Sequence, residues 1–476
     1  MRLTGRFLVA IAVLAALADA AVAADTPWSL YRSAVAGNAA YLAARAGMEA
    51  DQEGTSVALG QLLPNLSFSG TDSMNGADRR FARQPNEHFD YQSYSYNLNL
   101  RQPIYRKYNW ALYRQAEAQA KSAESRFAKS GGDLVVQVFN GYLDALFADD
   151  VARLLEAQQA AVTAQLAGAK KAFEAGAGTR TDVDDAQAKY DMIVAQQIET
   201  TNQQRQSRRE LQAMVNRRVD ALTSLDPQRL EFARPDERGV EAWIADAENN
   251  NAELAAARAQ VAAAEEELEK ALSGHYPTVD LVATASKTGN DSVITLSRSG
   301  TDKFSQTLIG VQVNIPIYAG GQASASTRQA RAKLDQARYA TEDTRRSLDV
   351  AVVKEFDNEV QGAARIRAFE QAERSAQQAL HSSRKGLQAG TRTAVEVLLA
   401  DQQLFTARRD LAQARYQYVL AYVRLRVAAG KLSDDELSRV SSWFAERPQP
   451  GPVALDAPCA ANGDATASAE RCRAGG

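Results

Sequence analysis

Two cysteines in 476 residues, Cys459 and Cys472, exclude a disulfide scaffold for this chain. Both stand in a tail rich in Pro, Ala and Gly, where they either close a small loop in an oxidising compartment or remain incidental; the spacing leaves both readings open. Histidine is almost as scarce. His88, His275 and His381 lie far apart, with no metal-ligand spacing and no nucleophile beside a base. No glycine-rich phosphate loop follows a strand pattern, so any nucleotide hydrolysis must come from a partner. An enzyme is therefore not expected, nor a cofactor or a metal. A net charge of −3 with 24% charged residues points neither to a nucleic-acid binder nor to a disordered acidic chain.

Long apolar runs are missing too, with one exception. Arg2 and Arg6 precede an apolar stretch from Phe7 to Leu17, and Ala21, Val22 and Ala23 offer a small-residue cleavage site. Residues 1–24 read as a signal peptide, because Asp19 interrupts the run short of the ~20 apolar residues of a membrane-spanning helix. No cysteine lies near the expected mature N-terminus, so a lipid-modified cysteine anchor is not expected. After residue 24 no stretch reaches transmembrane-helix length. Strands are the remaining way into a bilayer.

What the sequence does contain is one plan written twice. Pro64 and Pro277 are 213 residues apart, as are Pro103 and Pro316, and the tetrapeptide GTRT at Gly178–Thr181 recurs 212 residues on at Gly390–Thr393. The pattern predicts a first repeat over 25–225, a linker over 226–239, a second repeat over 240–440 and a flexible tail over 441–476. Each repeat reads as helix, strand pair, long helix, tight turn, helix. The leading helices are expected over 29–62 and 240–273.

The strands alternate. In YSYNLNLRQ, Tyr94, Tyr96, Leu98 and Leu100 alternate with Ser95, Asn97, Asn99 and Arg101; in LIGVQVNIP, Ile309, Val311, Val313 and Ile315 alternate with Gly310, Gln312 and Asn314. Four such strands of about ten residues, joined by polar loops of about 20, fit a transmembrane barrel with one wet face. Four cannot close one, since the smallest have about eight, so the barrel must be shared between identical chains. The fold class is mainly α with transmembrane β.

The helices are too long for a compact domain. From Tyr108 to Glu174 only Gly131 and Gly132 disturb the pattern, and about 67 residues at ~1.5 Å each span roughly 100 Å. Leu155, Gln159, Val162, Leu166, Ala169 and Phe173 recur at coiled-coil steps before one turn. Leu398, Gln402 and Phe405 do so after the other, followed by Leu404, Leu411, Ala414, Tyr418, Ala421 and Leu425. GTRT sits at each hairpin tip. Gly178 and Gly390 suit a left-handed helix end, Thr181 and Thr393 suit N-caps, and Asp184 and Glu396 stand three residues later as in a capping box. Arg180 and Arg392 are left over, because a cation beside a helix N-terminus is unfavourable.

This order of parts, with LPNLS opening the first strand, NIPIYAGGQ closing the last and AGTRTAVEVLLADQQLF at the second tip, resembles the TolC family of outer-membrane channels. The resemblance covers about Trp28 to Leu437. It implies a homotrimer with a twelve-stranded barrel in outer-membrane lipid of a Gram-negative bacterium, and a coiled-coil tunnel through the periplasm in which long helices pair with shorter ones stacked end to end. It also implies a tripartite export machine, with a periplasmic adaptor (a membrane fusion protein) and an inner-membrane ABC transporter or other energised pump. The implied cargo is a type I secreted, RTX-like toxin; multidrug efflux is the alternative, and a periplasmic coiled-coil adaptor is the rival reading.

By the same resemblance Arg392 links to Asp182, or to neighbouring Asp184, across the closed entrance, and Glu396 matches an acid of its narrowest ring. Leu387 stands where a tyrosine is often found. Leu399 stands where a second acid is typical, so a double carboxylate ring is not expected. Gly178, Thr179, Arg180, Gly390 and Thr391 are the expected adaptor-docking tips.

Overall fold

The computed structural model describes residues 24–79, 87–232, 239–290 and 302–445. The expected signal peptide, Cys459 and Cys472 lie outside these residues. Helix α1 (Pro27–Gly37) starts from a capping box in which the Thr26 hydroxyl accepts from Ser29 N–H. A break at Asn38 separates it from α2 (Ala39–Gly60). The second repeat does the same with α5 (Gly239–Asn250), Asn251 and α6 (Ala252–Leu272). The single helices expected over 29–62 and 240–273 are therefore each two.

The two asparagines explain the breaks. Asn38 Oδ1 accepts from Tyr41 N–H, capping α2, while its Nδ2 donates to the Met214 carbonyl at 3.0 Å. Asn251, 213 residues on, caps α6 through Glu253 and Leu254 N–H and donates to the Ala428 carbonyl at 2.9 Å. Each side chain thus starts one helix and satisfies a last-turn carbonyl of another. Short helices are thereby joined end to end beside the long ones.

Between these helices runs the sheet, with β1 (Asn65–Arg79), β2 (Glu87–Tyr105), β4 (Thr278–Asn290) and β5 (Asp302–Asn314) in the order β1-β2-β4-β5, all antiparallel. Asn65 pairs with Arg101 and Thr278 with Asn314, so the 213-residue repeat holds in the ladder. The strands run 13 to 19 residues, longer than the ten expected. Most of the first expected loop is strand, paired as far as Arg79↔Glu87. Its polar sequence did not prevent this, because a hairpin satisfies its backbone groups whatever its side chains.

Direct pairing sorts the faces. Leu66 with Leu100, Phe68 with Leu98, and Ala283 with Ile309 share one face; Ser67 with Asn99, Ser69 with Asn97, and Thr284 with Leu308 share the other. Leu66, Phe68, Ile309 and Val311 are exposed, an apolar face that none of the described residues covers. Among the described residues no strand pairs with the outer edge of β1 or of β5.

Helix α3 (Lys107–Glu174, 68 residues) returns from the sheet to the first tip, and α4 (Arg180–Val215) comes back. Helices α7 (Gln322–Gln388, 67 residues) and α8 (Ala394–Ala428) repeat the course. Gly131 and Gly132 do not interrupt α3; a β-carbon on Gly132 would lie 2.9 Å from Val427 Cγ1, so the glycine lets α8 approach. The expected seam is buried at Leu155, Val162, Leu166, Leu404, Leu411, Ala414, Tyr418, Ala421 and Leu425. Phe173 is exposed instead, beyond the last turn where α4 can cover it.

The main core lies midway along the bundle, around Leu30, Val138, Phe139, Tyr142, Leu211, Tyr418 and Val419. A two-stranded ribbon of β3 (Ser224–Leu225) and β6 (Phe444–Ala445), with α9 (Asp434–Ser442), closes it. Trp443 and Phe444 are buried, so 441–445 belongs to the folded body and not to the tail expected from residue 441. Among the described residues no helix is long and apolar enough to cross a membrane.

Candidate channel entrance

Each hairpin tip is built by one helix end and one helix start. At the first, Ala175 N–H donates to the Lys171 carbonyl, while Ala177 and Gly178 N–H both reach the Ala172 carbonyl. At the second, Ala389 N–H donates to the Lys385 carbonyl, while Thr391 and Arg392 N–H both reach the Gly386 carbonyl. These partners match residue for residue at an offset of 214. The left-handed positions are Gly176 (φ 74°) and Gly390 (φ 72°). The N-caps are Thr179, with Asp182 at N3, and Thr393, with Glu396 at N3.

The two copies of GTRT are therefore out of step by two residues. Gly390, Thr393 and Glu396 hold their expected places, but in the first tip Gly176, Thr179 and Asp182 replace Gly178, Thr181 and Asp184. Both Thr179-x-x-Asp182 and Thr181-x-x-Asp184 satisfy the capping-box pattern. The preceding helix decides between them, because α3 ends at Glu174 and the turn fixes where α4 begins.

The arginines consequently differ in role. Arg180 is the first residue of α4 and reaches Asp184 at 3.4 Å, while Arg392 precedes its N-cap and reaches Glu396 at 3.7 Å. Gly178 stands where Arg392 stands in the other tip. Within the chain Arg392 does not meet Asp182. Thr179 N–H (3.0 Å) and Oγ1 (2.7 Å) both use Asp182 Oδ2, so Oδ1 keeps acceptor capacity for a cation. The Thr179 hydroxyl and then its backbone N–H hold the Asp182 carboxyl below the usual range.

A short way from the tips, contacts absent from the sequence reading tie the hairpins together. Gln165 Nε2 on α3 donates to the Ala394 carbonyl at 2.9 Å. Val162, Ile193 and Leu398 form a small apolar cluster shared by α3, α4 and α8. Gln158 Nε2 donates to Gln402 Oε1 at 3.2 Å, and Lys189 Nζ donates to the same oxygen. Arg384 approaches Asp401 at 3.8 Å. Burial lowers the Lys189 pKa and raises that of Asp401, the latter against the pull of Arg384. Polar residues at seam positions carry the signal: Gln402 has the spacing of a seam residue, but its side-chain partners lie on other helices. Leu399, by contrast, is 65% exposed and leaves its position without a carboxylate.

The chain matches the family described as outer membrane efflux protein over residues 30–217 and 243–431, one match per repeat. It is 30% identical over 412 residues to the proteases secretion protein PrtF of Dickeya chrysanthemi, covering 85% of this chain and 88% of that one. It is 31% identical over 425 residues to the outer membrane protein TolC of Vibrio cholerae, covering 89% and 95%. Among solved structures, one of CusC superposes with a TM-score of 0.73 at 16% identity over 86% of this chain and 92% of that one, a likeness of fold. Long paired helices, a sheet with one apolar and one polar face, and a repeat matched half by half converge: the chain belongs to the outer membrane efflux protein family, the TolC-like channels of the Gram-negative outer membrane.

Proposed function

We propose that this channel is the exit duct of a tripartite export machine and passes protein from the inner membrane to the outside. The observation that carries the cargo class is the likeness to PrtF, whose name records protease secretion, over most of both chains. Three copies close the duct, with twelve strands in lipid, the apolar face outward and the face of Ser, Thr, Asn and Gln lining the lumen. The two free sheet edges support this assembly, because unpaired backbone groups are costly in lipid. A periplasmic adaptor seats on the hairpin tips at Gly178, Thr179, Arg180, Gly390 and Thr391, and an ABC transporter or other energised pump drives export. The cargo is a type I secreted, RTX-like toxin.

Arg392 closes the entrance by reaching Asp182 of a neighbouring copy through its uncommitted Oδ1. Asp184 is the weaker candidate because Arg180 already occupies it. Glu396 supplies the acidic ring. The likeness to TolC favours a second reading, efflux of small molecules. Deleting the coding region decides between them: loss of a secreted protein from the medium supports protein export, whereas drug hypersensitivity with an unchanged secretome supports efflux. Native mass measurement in detergent tests the assembly, and a stable monomer would sink it.

A further inference from the structure

The described side chains of the sheet's polar face carry little charge. Ser67, Asn97, Asn99, Thr284, Ser286 and Gln306 typify it, and the Thr284 hydroxyl donates to Asn99 Oδ1 at 3.1 Å. Among the described side chains of that face the charged ones are Arg101 and Asp280, both at the helical end of the sheet. Arg106, the N-cap of α3, joins them. Asp280 Oδ2 accepts from Arg101 Nη2 and Arg106 Nη2, each at 2.6 Å, and Asp280 Oδ1 accepts from Arg106 Nε at 2.7 Å.

The carboxylate side chain is 3% exposed, while that of Arg101 is 51% exposed. Two cations around one buried anion leave one positive charge per chain, and the more accessible cation is Arg101. We propose that Arg101, backed by Arg106 and Asp280, forms a basic tier where the barrel meets the tunnel and shifts the ion preference of the pore toward anions. Charged rings select the sign of the permeating ion. Among the described side chains of that face none beyond the tier carries a charge to offset it. Its consequence for cargo is favourable passage for acidic over basic segments at this level.

The inference rests on the reading of this sheet as one third of a barrel with its polar face inward. Three copies bring three such charges around one lumen. At 0.1 M salt a charge acts over about 10 Å, and three of them shift the anion-to-cation ratio about threefold at their own level. Without Arg101, the pair Arg106–Asp280 is neutral and that preference disappears. A purely structural tie between β2 and β4 would leave ion preference untouched.

The test is the reversal potential of the purified full-length protein in planar bilayers under a KCl gradient centred on 0.1 M. Arg101→Gln should raise the K⁺-to-Cl⁻ permeability ratio about threefold, Arg101→Lys should keep the wild-type value, and the difference should vanish at 1 M KCl, where screening shortens to about 3 Å. Glu396 is common to all three proteins and cancels from the comparison. An Arg101→Gln channel with wild-type permeability ratio at 0.1 M overturns the inference while leaving the channel reading intact. A wild-type protein that forms no conducting pore overturns both. If Arg101→Gln does not assemble, Arg101→Met, and Arg101→Cys in assembled protein before and after a cationic methanethiosulfonate adds a positive charge to its thiol with loss of methanesulfinate, provide the same comparison.

Discussion

The side chain of Arg392 lies against the bare Cα of Gly386: a β-carbon on that glycine would sit 2.7 Å from Arg392 Cγ and 3.2 Å from its Cβ. The other tip exchanges the partners. Ala172 carries the methyl there and Gly178 lacks one, and a β-carbon on Gly178 would meet that of Ala172 at 3.1 Å. Each turn has room for one side chain over the last helical turn, and only the second spends it on a cation. Gly386→Ala should therefore displace Arg392 and raise open probability in bilayers, in the same direction as Arg392→Ser. Ala172→Gly should leave gating unchanged.

Arg392→Ser should raise open probability or single-channel conductance, and Arg180→Ser should do less, because Arg180 is spoken for by Asp184 four residues on. An exposed pair gives about 0.2 to 1 kcal/mol. Three copies acting on one opening event change the open population by about threefold to over a hundredfold. High salt should reproduce part of the effect through screening. If Arg392→Ser and Asp182→Ala both leave conductance at the wild-type level, the arginine is no latch.

Asp182 links the first tip to pH. Its carboxyl is held below the usual value by Thr179, so it contributes stability that is fully present above about pH 4 and is lost as pH falls through the depressed folded value. Hydrogen-exchange protection factors at the first turn of α4, which remove the intrinsic pH dependence of exchange, should fall on acidification through that range. Thr179→Ala should weaken the acid dependence, leaving the part held by the backbone N–H, and fray the turn at neutral pH, since losing an N-cap costs about 1 kcal/mol. An acid response unchanged in Thr179→Ala would contradict the assigned cap.

Gln165→Ala removes the donor to the Ala394 carbonyl and should ease separation of the two hairpins within a chain. A hydrogen bond of this kind gives about 0.5 to 1.5 kcal/mol, so the open population should rise roughly two- to tenfold per copy. The complementary measurement closes the channel: cysteines at Gln158 and Gln402, joined by a short bifunctional maleimide, should hold conductance at its floor. Full conductance after verified crosslinking would show that the hairpins need not part for opening.

Thr179→Cys and Thr391→Cys should crosslink to the adaptor in cells, because both lie at exposed ends of the hairpins remote from the sheet. Crosslinks found only from positions in the strands, such as Met74, would reverse the proposed polarity.

Much of this was legible from local pattern. Alternation of Leu98 and Leu100 with Asn97 and Asn99 settled which sheet face is apolar, since side-chain direction in a strand has a period of two whatever surrounds it. Helix formers without proline from Tyr108 to Glu174 fixed a helix too long for a compact domain, since rise per residue is a backbone property. Matched prolines revealed the duplication.

Tertiary structure decided what local pattern left degenerate. Asn38 and Asn251 sit in sequences that propagate a helix, and they break it because each finds a carbonyl on a distant helix end, Met214 or Ala428, that needs a donor. GTRT fits a cap through either of its threonines in the first tip. The place where α3 stops, at Glu174 before the left-handed Gly176, selects Thr179 and puts Arg180 and Arg392 in different positions. Lys189, Gln402 and Gln158 are unremarkable polar residues until three helices bring them to one oxygen. Sequence determined the elements, because periodicity and rise act over neighbouring residues. Structure decided the joints, because each depends on a partner more than 170 residues away or on the other hairpin.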